Sequence, residues 1–341
     1  AVESPWLYNV FIDGVAEALR DAGYGLHIAG RQVPLLLYAD DIVLLARSEL
    51  ELAAMCDVVT AYARRHRFQL NGDKCGVMAF NATKEQRDSA AARDWELLGE
   101  RVGVVGEYEY LGSVTTANPS DWGPHVRALV AKATKRSNDL AWLCRTGRGM
   151  RPRTAMVLWR ALVRPVLEYC SELWCGAVSA ALEHEVEQVQ VRFLRSALGV
   201  DWKTGGGIST DFLRSEMGVE RLSSRRAKLA LGYWRRANAA APDRLLLAVI
   251  RRRSAQVRDP TNIVRGSRSL LRHTRATLVR YGLGRFWTAP AACAALETEA
   301  WRGATYEAVD AAEDAERATR MAGLSSLSDF TLVRDWGVVT S

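Results

Sequence analysis

Apolar residues spaced by three and four mark the first element of the chain: Leu7, Val10, Phe11, Val15 and Leu19 fall on one helical stripe. Ser4 suits its N-cap, Pro5 sits where a first-turn proline is tolerated, and Gly23 and Gly25 end it. The period then shortens. Two apolar runs, Val33–Tyr38 and Ile42–Ala46, are separated only by Ala39-Asp40-Asp41, which predicts a tight β-hairpin with carboxylates at its tip. A second amphipathic helix is predicted over Ser48–Arg67, with Leu52, Met55, Cys56, Val59 and Tyr62 on one face. A strand over Val77–Phe80, a polar connection and a second hairpin over Arg101–Thr116 follow. From about Ser120 onward the pattern is helical almost throughout.

Two places read as boundaries: Asn118-Pro119-Ser120, and the glycine triplet Gly205-Gly206-Gly207. They divide the chain into 1–118, 119–204 and 205–341. The Ala-rich, acidic stretch 289–320 reads as a surface helix or a partly frayed one. Charge sharpens the first boundary. Residues 1–120 hold 11 Lys and Arg against 17 Asp and Glu, a net of −6, whereas residues 121–280 hold 30 against 13, a net of +17. Residues 281–341 return to −4, with 5 against 9. A basic block between acidic ones fits a polyanion, most commonly nucleic acid, although solvated Arg-rich helical faces give the same sum. Within that block Arg127, Lys132, Lys135 and Arg136 recur near one face of a single helix, while Val126, Leu129, Val130 and Ala133 offer an apolar face to a neighbour.

The remaining composition narrows the class without naming it. At 48% hydrophobic and 25% charged, the 341 residues suit ordinary globular domains rather than disorder. No apolar run approaches the roughly 20 residues of a membrane span. The six cysteines are scattered singly, the closest pair being Cys170 and Cys175, with no zinc spacing, and read as buried thiols. Ala1-Val-Glu-Ser-Pro5 has neither a basic nor an apolar leader region and reads as a cut in a longer reading frame.

The acidic hairpin carries the chemistry. Aspartate is a common turn residue, so two of them at a tip are weak evidence alone. Flanked as tightly as in Tyr38-Ala39-Asp40-Asp41-Ile-Val-Leu-Leu-Ala46, however, the carboxylates are held in a fixed place, which suits a hard divalent cation such as Mg²⁺. Two such ions about 4 Å apart clamp the attacking and leaving oxygens in phosphoryl transfer.

Tyr38-Ala39-Asp40-Asp41 followed by an apolar strand resembles motif C of reverse transcriptases, and its neighbours match in order. Ser4–Asp13 resembles the tail of motif B and its helix, and Leu70-Asn71-Gly-Asp-Lys74-Cys75 through Phe80 resembles motif D. Tyr110-Leu111-Gly112-Ser113 resembles the primer-grip hairpin, motif E. Leu162-Val-Arg-Pro-Val-Leu-Glu168-Tyr169 with Trp174 resembles the thumb helices of non-LTR retrotransposon enzymes. Met217-Gly218 followed by Arg221-Leu-Ser-Ser-Arg225-Arg226 resembles a segment found after that thumb. The resemblance covers about residues 1–240. It implies an α+β fold: an incomplete ferredoxin-like palm, a mainly helical thumb and a helical C-terminal extension. It implies that Asp40 is a catalytic metal ligand with Asp41 as a weaker one, and that Tyr38 supports the primer terminus or incoming nucleotide. Asn71 and Lys74 take the two characteristic positions of motif D, with Lys74 aiding the departing pyrophosphate. Leu111 and Gly112 form the primer-grip turn.

The same resemblance implies an RNA template, a DNA primer, dNTPs and Mg²⁺ as partners. Its motif A aspartate and fingers find no match here, since the chain reads as starting inside motif B, and Asp13 does not replace that aspartate. The expectation is therefore a fragment inactive alone. A non-catalytic nucleic-acid-binding remnant and a group II intron maturase-like enzyme stand as alternatives. Nuclear activity is expected if the element is eukaryotic.

Overall fold

The structure, a computed structural model, describes residues 4–145, 150–200, 208–258 and 270–322. It is α+β and divides into two compact units, one of residues 1–119 with 241–259, the other of 120–240 with 260–341. The boundary expected at Gly205–Gly207 lies outside the described residues. No helix among the described residues is long and apolar enough to cross a membrane.

The first unit begins with α1 (Ser4–Asp21), which buries Ile12, Val15, Ala16 and Leu19. Ser4, expected as the cap, already lies in the helix. The chain reverses through Gly23 and Gly25, both at positive φ. Gly25 has no substitute in size, since a Cβ there would lie 2.4 Å from the Pro34 Cα. Next comes a hairpin that the apolar pattern does not predict: β1 (Leu26–Ile28) pairs antiparallel with β2 (Arg31–Val33). Val33 thus leaves the run assigned to the acidic hairpin, because Pro34, lacking an N–H, separates the two pairings. The acidic hairpin itself is β3 (Leu35–Tyr38) with β4 (Asp41–Leu44).

Helix α2 (Glu49–His66) matches its prediction to within a residue, since Ser48 caps it through the Glu51 N–H and Arg67 closes it in the left-handed region. Beyond a 3-10 turn over Gly72–Lys74, the strand expected over 77–80 is only β5 (Gly76–Val77). After α3 (Lys84–Ala92) come β6 (Trp95–Leu97), β7 (Glu100–Val104), β8 (Glu107–Tyr110) and β9 (Ser113–Thr116). The expected hairpin over 101–116 is therefore only β8 with β9. The Leu98-Gly99 turn folds β7 back on β6, and β7 also pairs parallel with β5.

The second unit is helical: α4 (Gly123–Arg145), α5 (Pro152–Leu162), α6 (Arg164–Leu167), α7 (Ser171–Trp174), α8 (Ala180–Ala197), α9 (Thr210–Glu216) and α10 (Leu222–Asn238). One core joins Val126, Leu129, Trp159, Leu167, Trp174, Phe193, Leu213 and Leu222. The next helix, α11 (Leu245–Arg258), belongs to the first unit, where Arg31 bonds the Asp243 carbonyl. The chain then re-enters the second unit with α12 (Leu270–Arg280), α13 (Arg285–Thr288), α14 (Pro290–Ala295) and α15 (Thr298–Ala322). Of the two readings of the acidic stretch 289–320, the helical one holds: α15 buries the stripe Trp301, Thr305 and Val309, leaves most of its other residues exposed or half-buried, and pairs Asp310 with Lys228 of α10 at 2.6 Å.

Candidate active site at the acidic hairpin

The inward side chains of β3 and β4 anchor the tip. Leu35 is buried, and Leu37, Ile42 and Leu44 pack with it against Ile12, Val15, Met55 and Val59 of α1 and α2. Alternation then sends Leu36 and Tyr38 outward, Tyr38 with 63% of its surface exposed. Tyr38 pairs with Asp41, so Ala39 and Asp40 form a two-residue turn. The other two-residue turns of this unit, Ala29-Gly30, Leu98-Gly99 and Leu111-Gly112, place glycine second with both residues at positive φ. At the acidic tip Ala39 takes φ 50° and an aspartate follows instead. The left-handed conformation costs an alanine about 1–2 kcal/mol, which the hydrophobic base of the hairpin must offset.

Both carboxylates are exposed. Burial and the Asp40 charge push up the Tyr8 phenol of α1. Burial and the Asp41 charge do the same to Tyr110, and burial, Cys75 and Asp41 to Tyr108. Tyr108 in turn donates to the Lys74 carbonyl at 2.5 Å. Packing thus sets the segment likened to the motif B tail beside the acidic turn, and the Tyr108 bond ties the segment likened to motif D to the β8–β9 hairpin. The Lys74 and Asn71 side chains are exposed, and the Asn71 backbone holds the 3-10 turn by accepting from the Lys74 N–H at 3.1 Å. Leu111 and Gly112 form the β8–β9 turn with φ 49° and 75°.

A cleft of about 940 Å³ opens beside the tip, lined by Asn9, Asp13, Glu17, Tyr38, Tyr62 and His66 among others. Its wall is fixed by Tyr62, which donates to the Phe11 carbonyl at 2.7 Å and stacks on His66 at 4.1 Å. Among the described residues no group of three His, Cys, Asp or Glu side chains is placed to hold a metal ion. As hard oxygen donors fixed on one rigid tip, Asp40 and Asp41 fit a divalent cation, but as a partial ligand set.

These observations meet one outside comparison. Residues 1–114 match the family model of reverse transcriptase (RNA-dependent DNA polymerase). The reverse transcriptase match contains the acidic hairpin, Lys74, Tyr108 and Tyr110, and ends within β9. It covers a third of the 341-residue chain. None of the curated proteins matches.

Outside the reverse transcriptase match, the stretch 160–174 and the stretch 218–226 contact each other. Arg225 donates to Glu168 at 3.1 Å, Arg226 lies 4.9 Å over the Trp174 ring, and Arg160 donates to the Gly218 carbonyl at 2.9 Å. Arg127, Lys132, Lys135 and Arg136 are all exposed on α4, with Val126, Leu129 and Ala133 buried beneath. Arg136 is tethered, donating to the Leu162 carbonyl at 3.2 Å. Sequence reasoning passed over Tyr8, Tyr108 and Tyr110. The period-two run Glu107-Tyr108-Glu109-Tyr110 was the available signal, since it sets both tyrosines on one strand face.

Proposed function

We propose that the chain is part of an RNA-directed DNA polymerase of the non-LTR retrotransposon kind. Residues 1–118 act as the palm from the motif B tail through motif E, 119–204 as the thumb and 205–341 as a helical extension. Asp40, with Asp41 beside it, supplies oxygen ligands to Mg²⁺, which neutralises charge on the transferring phosphoryl group when bound. Tyr38, exposed at the same tip, supports the primer terminus or the incoming nucleotide. Lys74 brings positive charge to the departing pyrophosphate, Asn71 supports the nucleotide beside it, and the Leu111-Gly112 turn grips the primer. The observation that carries this reading is the Ala39-Asp40 turn, with Asp41 beside it, fixed on a hairpin packed against α1 and α2 inside the segment that matches reverse transcriptase. Its partners are an RNA template, a DNA primer and dNTPs.

A two-metal centre takes a further carboxylate from another strand, so the test supplies one. The chain is expressed continuous with an upstream segment carrying a motif A aspartate, and primer extension is measured on an RNA template with Mg²⁺. Extension is expected, and Asp40→Asn should abolish it while template binding stays nearly unchanged; Asp41→Asn should be milder. An Asp40→Asn protein that still extends at more than a few per cent removes Asp40 from the metal site. Binding without any extension in the unaltered protein favours the non-catalytic alternative.

A further inference from the structure

At about 100° of turn per residue, Arg127, Ala131, Lys135, Asn138 and Trp142 fall within about 80° of one another on α4. They form one straight row of about 22 Å, at 1.5 Å per residue. All five are exposed, and the row runs opposite the face on which Val126, Leu129, Ala133 and Leu140 are buried. Lys132 and Arg136 lie further round the helix, and the tethered Arg136 is not part of the row. Neither Arg127 nor Lys135 forms an ion pair with a described residue, so both charges are available to a ligand. Ala131 between them keeps the helix surface low, where a second rod can lie against it.

The row ends on an indole with 59% of its surface in water. A single exposed aromatic is ordinary on a protein surface. An exposed tryptophan in register with two unpaired cations is more specific, because aromatic faces stack nucleobases while cations hold the adjoining phosphates. Within a duplex the bases are already stacked on each other, so Trp142 can take only an unpaired or terminal base. We propose that this row is a junction site, in which Arg127 and Lys135 hold duplex phosphates and Trp142 stacks on the first unpaired base of a single-stranded extension. The site deepens the proposed function, resting on its nucleic-acid partner but not on catalysis.

Fluorescence anisotropy of the whole chain tests it, using a labelled RNA–DNA duplex either blunt or with a short template overhang. Trp142→Ala should weaken binding of the overhang duplex by about 5- to 150-fold, the range for losing one stacked base. Binding of the blunt duplex should stay within about twofold, and Trp142→Phe should retain most of the overhang preference. Arg127→Gln with Lys135→Gln should instead lower the salt slope on both duplexes by about 1.8, at about 0.9 per phosphate contact. Equal losses on both duplexes in Trp142→Ala, or none on either, would overturn the junction site while leaving the polymerase reading intact. Failure of the unaltered chain to bind either duplex would overturn the site and the nucleic-acid role of the second unit together. Primer extension at the acidic hairpin would still be judged separately.

Discussion

Tyr108 donates its phenol proton to the Lys74 carbonyl oxygen at 2.5 Å, tying the 3-10 turn to strand β8 across 34 positions of sequence. The same turn is also held by the Gly72 N–H, which donates to Glu100 of β7 at 2.6 Å, and by two short-range bonds, the Lys74 N–H to Asn71 and the Cys75 N–H to Gly72. One such bond contributes about 0.5–1.5 kcal/mol net. Tyr108→Phe should therefore loosen the turn locally, raising amide hydrogen exchange at Lys74 and Cys75 by about 2- to 10-fold with little effect on α2. Unchanged protection would mean that the Glu100 bond and the turn's own backbone bonds suffice to hold it.

Lys74 is exposed, which leaves its ammonium accessible to a ligand. In a protein supplied with a motif A aspartate, Lys74→Leu should slow nucleotide addition by about 10- to 100-fold in single turnover, with substrate affinity barely altered. Tyr108→Phe should show a smaller loss in the same step, because it moves only the backbone that carries the lysine. A wild-type single-turnover rate for Lys74→Leu would leave it a solvated surface residue.

The parts of this molecule that a reader of the sequence can find are those set by local rules. Helix α2 was bounded to within a residue because Ser48 and the apolar stripe are local signals. The acidic turn was equally plain, since two apolar runs meet across two residues. The β1–β2 and β6–β7 hairpins were missed, because each contains a three-residue strand, too short to show a period. Nothing local shows that Tyr108 holds the Lys74 carbonyl, as that contact depends on how distant segments pack. The ion-pair network of the helical unit is hidden for the same reason, its partners Asp211 and Arg320 lying 109 positions apart.

Glu187 is the centre of that network. It is buried in the middle of α8, yet it accepts from Arg214 at 2.9 Å and from the Leu222 and Ser223 N–H groups at 3.3 and 2.7 Å. Helix α10 has no side-chain cap of its own, so this carboxylate satisfies its first donors and opposes its positive end. Glu187→Ala leaves two helix amides without their acceptor and leaves the buried Arg214 guanidinium only Gln190 and the more distant Asp211, and should cost about 2–4 kcal/mol. Glu187→Gln, which keeps an acceptor, should cost less. Urea unfolding followed by far-ultraviolet dichroism reads both, and equal, small losses would show that water replaces the carboxylate.

The last prediction concerns acid. Burial pushes the Asp211 carboxyl up, but the Arg320 hydrogen bond and charge, with Arg214 behind them, more than reverse it, so it sits below the usual carboxylate value. Arg320 reaches it from α15 with Nε at 2.7 Å and Nη2 at 3.2 Å. A carboxyl whose pKa is lower in the folded state stabilises that state fully above the unfolded value of about 3.9. The contribution fades as pH falls through the lower folded value. At pH 7, Asp211→Asn should thus lower the stability of the helical unit by about 1.5–3 kcal/mol, the range for a hydrogen bond to a charged group. Arg320→Leu should cost less, because Arg214 remains 3.7 Å from the carboxylate. Below pH of about 4 the gap between the original protein and Asp211→Asn should narrow, since protonation removes the charge that the substitution removes. Urea midpoints measured from pH 7 down to about 3 test the sign directly. A gap that stays constant across that range would show that Asp211 acts through packing alone.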